Sequence, residues 1–239
     1  MIIRIESGIP GFDELTRDRN TNLGGIPENT ATLIYGPPKT GKSIFSYQFM
    51  HHGLLKEDPC LCLLTDYTIK QLKQNTKNFS LNIDGYTQKE MLYMIDTVSS
   101  VSESYINETE IYKYSSVYNP TEIMIKIKTG TQFLYKKYPR FRSILDSLTT
   151  LFAFNDNMLI VRVLKAYILR IKEAGGTPVI IYTEGSADRQ IETMLKAAVD
   201  NIIKLDGNYA TIEAMVGCGK RKAPYEITSK GIIIEKRDI

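Results

Sequence analysis

"YGPPKTGKSI", residues 35–44, is the stretch whose reading decides the fold. Its residues Gly36, Pro37, Pro38, Lys39, Thr40, Gly41, Lys42 and Ser43 satisfy G-x-x-x-x-G-K-[ST]. The run before it, "NTATLIYG" (29–36), is β-branched and apolar and stops at glycine, which reads as a central strand. The run after it, "SIFSYQFMHHGLLKE" (43–57), sets Ile44, Phe45, Phe49 and Leu54 at helical spacing, with Lys56 and Glu57 at the polar end. This strand, glycine turn and helix separate a phosphate-binding loop from a mere glycine-rich link. Gly36 and Gly41 let successive backbone N–H groups point inward at phosphate oxygens, and the helix adds its positive N-terminal end. The loop residues and Ile44 are therefore the candidate cradle. Lys42 would bridge the β- and γ-phosphates, and the Ser43 hydroxyl is suited to a magnesium ion. Lys39 occupies a variable position where a third glycine is common; its side chain is expected to face solvent, with a phosphate contact as the alternative.

Outward from the loop, "CLCLLTD" (60–66) reads as a second strand, "TIKQLKQNTKNF" (68–79) as a short helix and "MLYMID" (91–96) as a third strand. Residues 112–120 are polar and turn-like, a candidate loop over the site, and Pro120 opens a helix to about Tyr135 ahead of the strand "RSILD". Residues 158–174 carry a helical apolar pattern, which 155–157 can cap and Gly175-Gly176 can end. "TPVIIYTE" (177–184) is a further buried strand. The alternation predicts an α/β fold, a mostly parallel central sheet flanked by helices. "NIIKLDG", "YATIEAMVG" and "GIIIEKRD" read as hairpin-joined antiparallel strands at the C-terminal end. With no internal repeat, residues 1–239 are expected to form a single domain.

A phosphate loop needs an acidic partner for the metal shell, usually at the end of a neighbouring apolar strand. Asp146 in "FRSILDSLTTLF" meets that description, although Arg142 and Ser143 make the strand less apolar than usual; the alternative role is a helix cap. Hydrolysis further requires a carboxylate that orients or deprotonates water. Asp66 is the candidate, one methylene shorter than glutamate, with a strand-end cap as the alternative. Near-attack geometry loses rate steeply over ~1 Å, so slow turnover is expected.

Composition narrows the classes. The chain is 43% hydrophobic and 24% charged without a Pro-, Gly- or Ser-rich tract, which fits a folded globular protein. A net charge of +3 is compatible with phosphate-bearing ligands and too weak to announce a nucleic-acid binder. No window reaches the ~18 apolar residues of a membrane span, and the start is charged too early for a signal peptide, so a cytoplasmic location is expected. Cys60 and Cys62 would share one face of a strand as buried thiols, because no partner lies at metal-site spacing. His51 and His52 point about 100° apart on a helix and cannot jointly ligate a metal.

With these residues in place, the chain resembles the KaiC-like branch of the RecA superfamily of P-loop ATPases, in a single-domain version. The likeness runs nearly end to end, through "SGIPGFDELT", "GGIPENTATLIYGPPKTGKS", "LLTDYT", "MLYMIDTVSS", "ILDSLTTLF", "DNIIKLDG" and "PYEITSKGIIIE". The resemblance implies a RecA-like sheet, ATP bound with Mg2+, and self-assembly that sets the nucleotide near a subunit boundary. It matches Lys42 and Ser43 to the nucleotide and magnesium residues and Asp146 to the second acidic motif. Asp66 falls on the first of two adjacent catalytic glutamates. The second is Tyr67, and a tyrosine is no base near neutral pH. A Lys-x-Arg pair that reaches the neighbouring subunit in many relatives falls near Val216 and Cys218 in "EAMVGCGKRK", with Lys220, Arg221 and Lys222 as substitutes or as a solvated turn. The insertion "TRDRNTN" (16–22) is expected to lengthen a loop near the nucleotide.

The leading expectation is an ATP-binding protein with weak Mg-dependent hydrolysis, whose ATP or ADP state controls assembly, as a homo-oligomer or paralogue complex, or partner binding. A DNA-binding recombination accessory is the second, since "YKKYPRFR" (135–142) alternates basic and aromatic residues. The third is a non-hydrolysing ATP-sensing subunit of a motor or signalling complex. A small-molecule kinase is the last, with no arginine-rich lid evident.

Overall fold

The computed structural model describes residues 2–18, 21–99 and 108–235. A short antiparallel pair, β1 (Arg4–Ile5) and β2 (Ile26–Pro27), encloses the one-turn helix α1 (Phe12–Leu15). β3 (Thr32–Gly36), buried at every position, leads into α2 (Lys42–Leu55). β4 (Cys60–Leu64) precedes α3 (Ile69–Asn78), which starts on a reciprocal cap: the Thr68 hydroxyl accepts from Gln71 N and the Gln71 side chain accepts from Thr68 N. α4 (Asp84–Gln88), β5 (Leu92–Asp96) and β6 (Tyr112–Tyr114) follow. α5 (Pro120–Tyr135) has Asn119 as its cap and proline in its first turn, where a missing N–H costs nothing. Next come β7 (Phe141–Asp146), α6 (Leu148–Phe154) and α7 (Asn157–Glu173), the last capped by Asp156. β8 (Gly176–Thr183), α8 (Arg189–Ala197), β9 (Asn201–Leu205), β10 (Tyr209–Ala214), β11 (Arg221–Thr228) and β12 (Gly231–Ile234) complete the order.

Among the described residues ten strands form one sheet in the order β12-β11-β10-β9-β3-β8-β7-β4-β5-β6. Every pair from β9 to β6 is parallel, and β10, β11 and β12 add antiparallel. The central strands are buried throughout because helices cover both faces, whereas β9 and β10 alternate buried and partly exposed positions. The two-residue period sorts each strand's side chains: Ile34, Cys62 and Ile144 pack with Phe45 and Phe49 of α2, while Leu33, Leu63 and Leu145 face Ile127 and Leu164 of α5 and α7. α2 is buried nearly all round, since β12 also lies against it. Gln48 pairs with both backbone groups of Ile232 on that edge strand, donating at 3.1 Å and accepting at 2.7 Å.

Several expectations need correction. Residues 112–114 form the edge strand β6 rather than part of a loop over the site; three residues are too few to show a period. "NIIKLDG" has two roles: β9 pairs parallel with β3, because the unforeseen α8 carries the chain across before it, and antiparallel with β10, so it is also the first arm of the expected hairpins. α6 was likewise not foreseen. In the insertion at 16–22, of which residues 19–20 lie outside the described ones, Asp18 sits beside Arg4 and Gly217, away from the phosphate loop. Cys60 and Cys62 do share one face as buried thiols, 3.8 Å apart at sulfur, with Cys62 3.5 Å from the Met50 sulfur. No described helix is long and apolar enough to cross a membrane.

Candidate functional site

Strand β3 ends at Gly36, where φ is 151° and a Cβ would lie 1.9 Å from the Leu205 carbonyl oxygen, so no side chain fits. The chain turns through Pro37, Pro38 and Lys39 and reaches Gly41 at φ 88°, immediately before α2, whose first turn no side chain caps. Its unpaired amides are thus available to an anion. Lys39 is exposed at φ 63°, a left-handed conformation that explains why glycine suits this position. The loop is held from behind: Thr40 Oγ1 donates to Pro37 O at 3.0 Å, and Tyr225 of β11 donates to Thr40 O at 2.6 Å.

Lys42 is buried, and its ammonium donates to the carbonyls of Gly36 (3.0 Å) and Pro37 (2.5 Å). Burial pushes its pKa below the ordinary value, while Asp146, Glu184 and Asp66 pull it up. β7 runs beside β4 with Asp146 in register with Leu64, which brings the residues just after β4 to the same cavity. Ser43 Oγ donates to Asp146 Oδ1 at 3.1 Å; Ser46 Oγ, at 3.5 Å, and the Tyr67 hydroxyl donate to Oδ2. Asp146 is fully buried, and burial pushes its pKa up to about 6; Asp66 adds to the rise, while the Tyr67, Ser43 and Ser46 hydroxyls oppose it. Asp66 is exposed at the cavity. Its Oδ2 accepts from Ser147 Oγ at 2.9 Å and its Oδ1 from the Thr150 hydroxyl. The peptide between Asp146 and Ser147 is cis.

The structure therefore brings Lys42, Ser43, Ile44, Asp66 and Asp146 to one cavity of about 340 Å³, with Pro38, Lys39, Thr40 and Gly41 on its rim. Gly36 and Pro37 stand just behind, as the acceptors that occupy Lys42. Sequence reasoning missed Ser46, Thr150 and Tyr225, and assigned Tyr67 only as a lost glutamate. Burial first, and then Asp146, hold the Tyr67 phenol well above its ordinary pKa, so it is a proton donor here. Ser43 and Ser46 stand three apart on a helix, a spacing that could have flagged Ser46.

A family model described as KaiC ATPase matches residues 5–239. The chain belongs to the KaiC ATPase family. Within it, a UPF0273 protein of Thermotoga maritima is 30% identical over 98% of this chain and 96% of its own length. A UPF0273 protein of Pyrococcus horikoshii is 29% identical over 98% and 94%. The circadian clock protein KaiC2 of Synechocystis is 28% identical over 86% of this chain, which spans only 33% of that protein. A solved KaiC-like protein from Pyrococcus horikoshii shares the fold, with a TM-score of 0.72 over 99% of this chain and 100% of that one at 22% identity.

Other candidates from the sequence fall away from the cavity. In "YKKYPRFR", Arg140 and Arg142 both pair with Asp58, and Lys137 pairs with Glu90, so the alternation does not become a row of unpaired cations. Arg221 donates to Leu15 O and Lys222 lies over the Tyr209 ring, 4.0 Å from its centroid. His52 bonds Glu6 at 2.9 Å, and no group of metal-ligating side chains of the His, Cys, Asp and Glu type forms among the described residues.

Proposed function

We propose that this KaiC-family chain binds ATP with Mg2+ at the phosphate loop, hydrolyses it slowly, and uses its nucleotide state to control self-assembly or partner binding. The observation that carries the reading is the shared cavity: loop amides, a buried ammonium, a hydroxyl and two carboxylates converge within about 340 Å³. Oxygen donors alone at Ser43 and Asp146 suit magnesium, and burial lifts that carboxylate to about 6 even with the Lys42 ammonium in the same cavity. Ser43 and Asp146 are the residues to hold that ion, which when bound neutralises charge on the phosphate oxygens. Lys42 exchanges the Gly36 and Pro37 carbonyls for phosphate oxygens. Asp66, oriented by Ser147 and Thr150, receives the proton of the attacking water. Tyr67 cannot share that task, and the short Asp66 side chain alone supports slow turnover. ATP binding and turnover in the parent, Lys42→Ala and Asp66→Asn test this. Affinity surviving Lys42→Ala, or brisk turnover indifferent to Asp66→Asn, would sink it.

A second reading, a non-hydrolysing ATP sensor, draws on one observation: Tyr67, which the resemblance aligns with the second catalytic glutamate, donates a hydrogen bond to Asp146. Tight ATP binding without turnover, together with a nucleotide-dependent change in size on gel filtration, would favour it.

A further inference from the structure

A second cavity, of about 270 Å³, opens at the opposite end of the sheet, where the strands begin. Arg142 lines it at the start of β7, whose other end carries Asp146, and Asp58 lines it just before β4. We infer that this cavity binds an oxyanion of the phosphate class, either the free ion or a phosphoryl group on a small molecule.

Four cations, Arg4, Lys56, Arg140 and Arg142, face it against two carboxylates, Glu6 and Asp58. Each carboxylate is already divided. Asp58, 5% exposed, accepts from Arg140 Nε at 2.8 Å and Arg142 Nη2 at 3.3 Å; Glu6 accepts from Lys56 at 3.2 Å and bonds His52 at 2.9 Å. Arg4 spends its Nη atoms on neutral acceptors, Gly25 O, Val216 O and the Met215 sulfur, and Asp18 attracts it more strongly than Arg221 repels it. The buried Nε of Arg4 has no hydrogen-bond partner. The lining carries a surplus of two positive charges, reduced by Asp18, Glu28 and Asp13 farther off, and low-dielectric walls focus what remains into the cavity.

The site is also rigid. Arg142, 2% exposed, donates to Phe49 O at 2.8 Å and stacks 4.5 Å above the Phe49 ring centroid. Its Nε packs on Gly53, where a Cβ would come within 2.4 Å. Arg142 thus fixes Asp58 and adds a buried charge to the wall, while the half-exposed Arg140 and Lys56 are the cations that can reach an oxyanion. The volume lies below the ~300–1,000 Å³ of sites for drug-sized ligands, so the ligand is small. A phosphate monoester, with a charge of about −1.5 to −2 at neutral pH, matches the surplus. The arginine that interrupts an otherwise apolar strand, unexplained by the nucleotide site, acquires a role.

The test uses the full chain carrying Lys42→Ala, so that the phosphate loop contributes little. Inorganic phosphate and glycerol 3-phosphate are titrated calorimetrically against potassium chloride of matched ionic strength. Saturable binding is expected, weaker by tenfold or more in the Arg140→Ala/Lys56→Ala pair, whose side chains are half exposed and leave the fold intact. Glu6→Gln, which removes a competing carboxylate, should tighten it. Preference for the ester identifies a phosphorylated small molecule, and equal affinity identifies the free ion. No saturable binding, binding that the double variant leaves unchanged, or weaker binding in Glu6→Gln overturns the inference.

Discussion

Replacing Asp146 by Asn should stabilise the nucleotide-free protein while disabling its magnesium chemistry. An ordinary aspartate titrates at 3.8, and burial carries Asp146 to about 6. Between those values the folded chain holds more proton than the unfolded one, so stability falls as pH rises through that window and the whole cost applies above it. At 1.36 kcal/mol per pH unit the cost is about 3 kcal/mol. The asparagine amide avoids this but turns an NH2 toward hydroxyls that donated to the carboxylate, which gives back about 1 kcal/mol. A net gain of about 2 kcal/mol raises the melting temperature by roughly 4–8 °C in a chain of this length. Melting in EDTA at pH 7.5 and pH 5, parent against variant, reads the effect. At pH 5 most Asp146 in the parent is protonated, and the gap should shrink by more than half. Stabilisation by ATP should meanwhile lose its dependence on magnesium. A variant that melts below the parent at pH 7.5, or a gap that is flat down to pH 5, would refute the reasoning.

Lys39→Gly relieves the left-handed strain at φ 63° and should change stability by no more than about 1 kcal/mol in either direction, because glycine also loosens the unfolded chain. ATP affinity should hold; a tenfold loss on titration would mean that the exposed ammonium grips phosphate after all. Tyr67→Phe removes a donor from the buried Asp146 carboxylate and should lower stability in EDTA by about 1–2 kcal/mol, measured by denaturant unfolding. No change would show that the phenol is not bonded there in solution.

The phosphate loop was legible because three local signals coincide within 29–57: an apolar run, two glycines and a helical period. Asp146 was legible because a carboxylate ending an apolar run is itself a local pattern. The partners of these residues were not. Tyr67 reaches Asp146, and Thr150 reaches Asp66, only because β4 and β7 are neighbours in the sheet, a fact of strand order that no window contains. Short elements escaped for a related reason. β6 has three residues and α6 seven, fewer than two turns, so position in the sheet rather than period defines them. β9 is parallel because α8 intervenes; Ile191, Met194 and Leu195 do give that helix an apolar stripe, but over nine residues it rests on only three positions.

Lys42 and Asp146 share one electrostatic predicament. Burial is the largest cause of both shifts, and it drives the ammonium down and the carboxylate up, each toward neutrality. A ligand that places phosphate at Lys42 and a cation at Asp146 reverses both, so binding must move protons. With Asp146 at about 6, half its population carries a proton at pH 6, and magnesium needs the carboxylate form. Binding of preformed Mg·ATP should therefore release about half a proton from this residue at pH 6 and roughly a tenth at pH 7. Calorimetry in buffers of different ionisation enthalpy measures the release, and subtracting the Asp146→Asn variant removes the contribution of the nucleotide's own phosphate. A difference that does not grow as pH falls from 7 to 6 would mean that Asp146 is ionised before the ligand arrives, and the buried carboxylate would then need another cation beside it.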